Sequence, residues 1–120
     1  MAKAEFFSNI SNIIENNDDR LSYGISVTDF DKDGTFEFIV AGFGYSNLAL
    51  SYKNGKLVNT MQDPLFIDED RNTIGVSACD IDQDGFEEIY FLNTDTYSGE
   101  KKYSDRLLDN NDKIFDYFEL

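Results

Sequence analysis

Apolar residues in this chain fall into short runs that are rich in Val, Ile, Phe and Tyr and are separated by polar, turn-forming residues. Such runs favour strands over helices, because β-branched and aromatic side chains fit a pleated surface. The pair Asn54-Gly55 between two runs is typical of a tight hairpin, in which both central residues need positive φ. The pattern predicts eight strands, at residues 22–28, 35–42, 47–53, 56–61, 73–79, 86–93, 106–110 and 113–118.

The two halves of this pattern are copies of each other at a shift of 51 residues. Residues 23–27 (YGISV) match residues 74–78 (IGVSA), and residues 38–40 (FIV) match residues 89–91 (IYF). A duplicated unit of this length is the period of a propeller blade or a solenoid turn. With four strands in each unit, the expected fold is all-β, with two four-stranded antiparallel sheets.

Segments outside the strands divide the chain into a lead (1–20), a first repeat (21–62), a connector (63–71) and a second repeat (72–120). Apolar residues at helical spacing over residues 5–14 predict a short amphipathic helix that covers a sheet edge or face, although the asparagines around them also allow an extended lead. Late in the second repeat the shift grows to 57, which places six extra residues within 95–104. We expect a protruding loop there, either a tolerated insertion or a binding loop.

Composition narrows the classes of partner. The 120 residues make one domain or a piece of one, and a hydrophobic content of 41% is enough for a folded core. A formal net charge of −14 argues against nucleic acid as a partner and against an anionic membrane surface. No apolar run approaches the roughly 20 residues that span a bilayer, and no signal-peptide pattern is present, so we expect no membrane insertion.

The chain has no histidine and a single cysteine, Cys79. These counts exclude an intrachain disulfide and a cysteine-cluster metal site, and they remove the usual ligand for zinc, copper or iron. Any metal must therefore be held by oxygen. Cys79 ends an apolar run, where we expect a buried and inert thiol.

Each repeat contains a loop in which three aspartates alternate with other residues and are followed by glycine and a later glutamate. Alternate carboxylates on a tightly turning loop converge on one point and need a cation to neutralise them. Calcium prefers six to eight hard oxygen ligands at flexible geometry, so we expect two calcium sites. The expected ligands are Asp29, Asp31, Asp33, the carbonyl of Thr35 and Glu37 in the first loop, and Asp80, Asp82, Asp84, the carbonyl of Phe86 and Glu88 in the second.

An EF-hand begins in the same way but ends with a bidentate glutamate at position 12 of its loop. In this chain that position falls on Val40 and Phe91, which cannot bind calcium. The flanking segments are also strand-like rather than helical, so the loops are not EF-hands.

The pattern D-x-D-x-D-G-x-x-D/E between two strands resembles the FG-GAP repeats, also called VCBS repeats, of integrin α-subunit β-propellers. Residues 24–40, the Gly42-Phe43-Gly44 that follows them, and residues 105–110 (DRLLDN) look most like the cartilage acidic protein and ASPIC/UnbV-type family. The resemblance covers residues 21–118. It implies two calcium-stabilised blades of a partial β-propeller, in a secreted or cell-surface protein concerned with adhesion or matrix interaction.

Three hypotheses for function stay open on the sequence. The first is a non-enzymatic calcium-binding module whose loops recognise a protein or a glycan. The second is a structural assembly unit, because two blades leave two apolar sheet faces without a partner and repeat arrays need about three units. The chain would then be a fragment of a longer propeller or a homo-oligomer of about two to four copies in a ring. The third, an enzyme, has the least support, because the best-organised carboxylates are assigned to calcium.

Overall fold

The computed structural model describes residues 6–94 and 101–119. Eight strands form two four-stranded antiparallel sheets in the orders β1-β2-β3-β4 and β5-β6-β7-β8. The predicted all-β fold is confirmed. The first sheet holds β1 (Ile25–Thr28), β2 (Glu37–Val40), β3 (Leu48–Lys53) and β4 (Lys56–Asn59), and the second holds β5 (Asn72–Cys79), β6 (Glu88–Thr94), β7 (Arg106–Asn111) and β8 (Lys113–Asp116).

The second strand of each sheet begins two residues later than the sequence pattern predicts. Thr35 and Phe86 were expected in the strands, but their backbone N–H groups donate to the side chains of Asp33 and Asp84, at 2.8 and 2.9 Å. An N–H group that is bound by a loop aspartate is not available to the strand ladder. The acidic loops therefore set where β2 and β6 start.

Over residues 6–14, the described part of the predicted helix, the lead is extended and not an amphipathic helix. A single 3-10 turn, Ser11–Ile13, is present there. Asn9 explains the difference, because its side chain accepts the backbone N–H of Ser11 at 2.9 Å and so competes with helical hydrogen bonds. Residue 5 of the predicted helix lies outside the described residues. Beyond the turn, the backbone N–H of Glu15 donates to the carbonyl of Leu57 on β4 at 2.8 Å.

The connector contains a short helix that the sequence did not indicate, α1 (Pro64–Ile67). Asp63 caps it by accepting the backbone N–H of Leu65 at 2.9 Å, and proline occupies the first turn, where its missing N–H costs nothing. The helix places Phe66 between the two sheets, fully buried.

Phe66 is the centre of the core between the sheets. Its ring lies 5.7 Å from that of Phe30 and 5.4 Å from that of Phe91, measured between centroids. The first sheet contributes Ile39 and Ala49 to this core. The remaining core residues are Met61, which follows β4, and Ile89, Phe91 and Leu108 from the second sheet.

A buried ion-pair network fastens the connector to the second sheet. The guanidinium of Arg106 lies 2.7 Å from Asp68 and 2.9 Å from Asp116, and Arg71 lies 3.3 Å from the same Asp68 carboxylate. Removing one partner would leave a buried charge without compensation, which is strongly destabilising. The network therefore holds the end of α1 against β7 and β8.

The strand register corrects the predicted insertion. Leu107 pairs with Tyr90 as Ala49 pairs with Ile39, so the third strands of the two sheets are 58 residues apart. Asp116 pairs with Leu108 as Asn59 pairs with Leu50, so the fourth strands are 57 residues apart. Seven residues rather than six are thus inserted between β6 and β7, and the β7–β8 hairpin is one residue shorter. Residues 95–100 of the predicted protruding loop lie outside the described residues.

Cys79 is exposed, so the prediction of a buried thiol is wrong. The residue ends β5 on a face that the other described sheet does not cover.

No helix in the described part of the chain is long and apolar enough to cross a membrane.

We expect Phe66→Ala to lower the free energy of unfolding by about 3–5 kcal/mol, because it removes the ring that packs against both sheets. Urea denaturation measures this change. The matched control is Phe7→Ala, at a side chain that is 93% exposed, which should stay within about 0.5 kcal/mol of wild type. Equal stability of the two variants would contradict the role assigned to Phe66.

Candidate functional site

The two acidic loops bring all eight predicted carboxylates together in two clusters. In the first loop, one ligand atom from each carboxylate lies within 4.8 Å of the others, and the second loop repeats this arrangement. The clusters are Asp29, Asp31, Asp33 and Glu37, and Asp80, Asp82, Asp84 and Glu88.

The backbone of each loop turns through two residues with left-handed conformation. Lys32 has φ 61° and Gly34 has φ 90° in the first loop, and Gln83 and Gly85 have φ 64° and 93° in the second. A Cβ at either glycine would meet no atom within 4 Å, so the requirement for glycine comes from φ and not from space.

The first aspartate of each loop is the point around which the chain curls. The two carboxylate oxygens of Asp29 accept the backbone N–H groups of Asp33 and Gly34, at 3.0 and 2.9 Å. Asp80 accepts the equivalent groups at 3.1 and 3.0 Å. Side chains that bind backbone N–H groups a few residues ahead close the loop and direct the following carboxylates inward.

The glutamates Glu37 and Glu88 join each loop to its sheet. Each is the first residue of its strand and is 1% exposed. Glu37 Oε1 accepts the backbone N–H of Asp31 at 3.1 Å, and Glu88 Oε2 accepts that of Ile81 at 2.6 Å.

The second oxygen of each glutamate, Glu37 Oε2 and Glu88 Oε1, is buried without a hydrogen-bond partner. These two are the buried side-chain oxygens in that condition over residues 6–94 and 101–119. A buried carboxylate oxygen without a partner is costly, so each of these oxygens is available to a bound ligand.

The electrostatics of the loops favour a cation. Burial, together with the charges of Asp31 and Asp29, raises the pKa of Glu37 to about 7. Burial also raises the pKa of Glu88, which accepts two loop N–H groups where Glu37 accepts one. The pKa of Asp31 is likewise raised, first by burial. Four close carboxylates oppose one another's ionisation, and a divalent cation would remove that opposition.

The donor set fits calcium. All side-chain donors are hard carboxylate oxygens, and each cluster includes a glutamate with a buried oxygen that has no hydrogen-bond partner. The carbonyls of Thr35 and Phe86 stay predicted ligands. The described hydrogen bonds of these two residues are made by the backbone N–H groups and the Thr35 hydroxyl.

The two loops are neighbours at one end of the molecule, which the sequence alone could not indicate. The Lys32 ammonium lies 4.6 Å from the centre of the Phe86 ring, so a residue of the first loop covers one of the second. Close by, the Asn110 side chain donates to the Phe30 carbonyl at 2.8 Å. These contacts link the first loop to the second sheet.

A second repeated contact, which the repeat pattern did not indicate, lies at the opposite end of the sheets. The Arg71 guanidinium lies 5.1 Å from the Tyr103 ring centre and donates to the Ser104 carbonyl at 3.0 Å. In the first repeat, Arg20 makes the same two contacts with Tyr45, at 5.6 Å, and with the Ser46 carbonyl.

A signal for this contact is present in the sequence. Each arginine follows two acidic residues, in Asp18-Asp19-Arg20 and in Glu69-Asp70-Arg71, and the two segments are related by the repeat shift of 51. The Tyr-Ser pairs are 58 residues apart, so a search at the single shift of 51 does not find them.

Comparison with known proteins agrees with this architecture. Residues 29–91 match the model of the FG-GAP-like repeat family. The chain belongs to the FG-GAP-like repeat family, as the loop pattern predicted.

Individual relatives are similar over more of the chain. Cartilage acidic protein 1 of Xenopus tropicalis is 50% identical over 102 residues, which cover 78% of this chain and 16% of that protein. The proteins of the same name from Homo sapiens and Mus musculus are each 49% identical over 102 residues. The chain spans 15–16% of the length of these relatives.

In metal-free protein we expect the free energy of unfolding to fall as the pH rises from about 4.5 to about 7. The folded state binds the Glu37 proton more tightly than the unfolded chain does. Its stabilising contribution is therefore complete below the ordinary pKa and is lost as the pH passes the raised one. The loss assigned to Glu37 is at most about 3 kcal/mol.

Urea unfolding at a series of pH values measures this dependence. Glu37→Gln cannot ionise and should show a shallower fall than wild type. Glu69→Gln, at an exposed glutamate in the connector, should keep the wild-type slope. Identical slopes in wild type and Glu37→Gln would contradict the raised pKa.

Proposed function

We propose that this chain is a non-enzymatic module in which two calcium ions stabilise the loops between the first two strands of each sheet. The observation that supports this most directly is the buried, partnerless oxygen of Glu37 and of Glu88. Each oxygen belongs to a cluster of four carboxylates that are otherwise mutually repulsive.

Calcium in these loops would act on the fold and not on a substrate. The side chains of Asp29, Asp31, Asp33 and Glu37 would hold one ion, and the four matching residues of the second loop would hold the other. An ion bound there would connect the loop to the first residue of the following strand, because Glu37 and Glu88 belong to both. It would also satisfy the partnerless glutamate oxygen. The loop and the strand ladder would then be stabilised together.

An enzymatic function has less support from the residues present. The chain has no histidine to act as a general base near neutral pH. The best-organised carboxylates lie within 4.8 Å of one another in the loops. Glycosidase carboxylate pairs are about 5 Å apart or more and flank a substrate groove.

We expect calcium to raise the melting temperature of the chain well above the value in chelator, with a much smaller effect of magnesium. Magnesium demands near-ideal octahedral geometry and gives up its waters reluctantly. Calcium at 100 times its dissociation constant adds about 2.7 kcal/mol per independent site. Scanning calorimetry gives the stability, and isothermal titration gives a stoichiometry of two.

Matched variants separate the two sites. Asp31→Asn and Asp82→Asn should each reduce the stoichiometry to one, and the double variant should abolish the calcium response. Asp112→Asn, at an exposed acid in the β7–β8 hairpin, should leave both sites intact. A wild-type chain without a calcium-dependent shift would refute the proposed sites.

We further propose that the module works outside the cell and recognises a protein or a glycan. Membership of the FG-GAP-like repeat family and the similarity to cartilage acidic protein 1 support this location. Extracellular calcium modules bind with dissociation constants of about 0.1–1 mM, so an affinity in that range would agree with it. With a net charge of −14, a basic or neutral partner surface is favoured.

We expect purified chain to be retained on some members of a panel of immobilised matrix proteins and neutral glycans when calcium is present, and to be released by chelator. The double variant Asp31→Asn with Asp82→Asn is the control and should be retained less. Binding that is equal with and without calcium would separate recognition from the ion sites. An absence of binding on the whole panel would count against recognition and leave the calcium proposal in place.

A further inference from the structure

The two sheets pack face to back. The face of the first sheet that contacts the second sheet is not equivalent, in the repeat, to the face of the second sheet that it meets. We name the side that carries Ile39 in the first sheet the forward face, and the side that carries Phe38 the rear face. By the repeat shift, the forward face of the second sheet carries Tyr90 and its rear face carries Ile89. The core joins Ile39 to Ile89 and Phe91, so a forward face packs on a rear face.

Among the described residues, this arrangement leaves the rear face of the first sheet without a sheet partner. Its residues Ile25, Val27, Phe38 and Tyr52 are between 40% and 68% exposed. Ile89, the counterpart of Phe38 in the second sheet, is completely buried in the core between the sheets. The exposed rear face of the first sheet is thus apolar, like the rear face of the second sheet, which the first sheet covers.

The forward face of the second sheet is the matching surface, because over residues 6–94 and 101–119 no other sheet covers it. Tyr90 and Leu107 are only partly buried there, although their counterparts Ile39 and Ala49 are fully buried. Ile81 is 56% exposed, whereas its counterpart Phe30 is 1% exposed and fills the core between the sheets.

A cavity marks the place where a partner would enter. It has a volume of about 780 Å³ and lies between the lead and the rear face of the first sheet, with Val40, Leu48 and Leu50 among the residues that line it. In the second sheet, Phe91 is the counterpart of Val40 and packs against Phe66, next to Phe30. Ile81 of another copy would enter at this cavity in the way that Phe30 enters the core that contains Phe91.

We propose that a second copy of this chain places the forward face of its second sheet on the rear face of the first sheet, which repeats the contact between the two sheets within one chain. A second copy is the occupant that the structure supports, because the chain itself carries both members of a contact already formed inside it. The contact is heterologous, so it closes into a ring or continues as a filament. Propellers close with about four to eight blades, so a ring would hold about two to four copies.

Charge sets the conditions for this assembly. Each copy carries a net charge of −14, so copies repel each other at low ionic strength. Salt screens this repulsion, and we expect association to increase with salt as well as with protein concentration. The proposal of a second copy rests on the packing of the faces and stands without the calcium proposal.

The test uses light scattering on the whole chain at several concentrations, at physiological salt, with and without calcium. Wild type should reach two to four times its mass of 13.7 kDa. Val27→Arg on the rear face and Ser77→Arg on the forward face should each reduce association more than about tenfold, because an unpaired charge would be buried. Ser8→Arg, in the exposed lead, is the control for added charge and should assemble like wild type.

Mixing the two variants gives the decisive result. Each variant alone lacks one face, but Val27→Arg retains an intact forward face and Ser77→Arg retains an intact rear face. The mixture should therefore form a heterodimer. Both variants must first show wild-type circular dichroism and cooperative unfolding.

Thiol labelling provides a second readout. Cys79 lies on the forward face of the second sheet, and its counterpart Thr28 is buried between the sheets. Labelling of Cys79 should slow on assembly of wild type and stay fast in Val27→Arg. A wild type that stays monomeric at every concentration and salt would overturn the proposal, as would a mixture of variants that stays monomeric while wild type associates. Neither result would bear on calcium binding, which the thermal shift measures separately.

Discussion

The buried glutamate at the start of the second strand is the constraint on which most of this structure depends. Glu37 is part of the β1–β2 ladder, accepts a hydrogen bond from the loop backbone and contributes to the carboxylate cluster. The aspartate that opens the same loop is followed directly by Phe30, whose ring enters the core between the sheets. The shape of the loop decides where Phe30 lies. Asp29 and Phe30 therefore connect the electrostatics of the acidic loop to the packing of the two sheets. Glu88 repeats the local arrangement in the second sheet, but there the residue after the first aspartate, Ile81, has no sheet to enter.

The connector determines how the two sheets are held at the other side of the core. Its short helix delivers Phe66 to the centre, and Asp68, in a left-handed conformation at the helix end, accepts hydrogen bonds from Arg106. The first repeat has Asn17, at the same shift of 51, in place of Asp68, and Leu48 occupies the strand position of Arg106. In the first repeat both charged residues of this ion pair are replaced by neutral ones, so neither charge is buried without its partner. Asn17 and Leu48, which stand at the positions of this ion pair, line the cavity beside the lead.

Much of the fold could be predicted from the sequence because its determinants are local. Strand number, the Asn54-Gly55 hairpin and the convergence of the loop carboxylates each follow from residues a few positions apart. The features that were missed depend on contacts between distant segments. Thr28 and Cys79 occupy the same place in the repeat, yet the first is buried and the second is exposed, because only the first lies between two sheets. Alternation along a strand shows which residues share a face, but it does not show whether another sheet covers that face. The strand starts were missed for a related reason, since loop side chains compete for the N–H groups of Thr35 and Phe86.

Taken together, the two proposals connect calcium to assembly through one residue. Asp109 lies on the forward face of the second sheet, where the first sheet has the neutral Ser51. It is buried, accepts the Tyr117 hydroxyl at 3.2 Å, and its charge contributes to raising the pKa of Asp82 and Glu88 in the neighbouring loop. An ion in the second loop would lower the negative potential around Asp109 at the surface where another copy would pack. Calcium would then act twice, since it would stabilise the loop and reduce the charge that opposes contact between copies. The first loop differs in this respect, because Ser51 brings no charge to the contact already formed inside the chain.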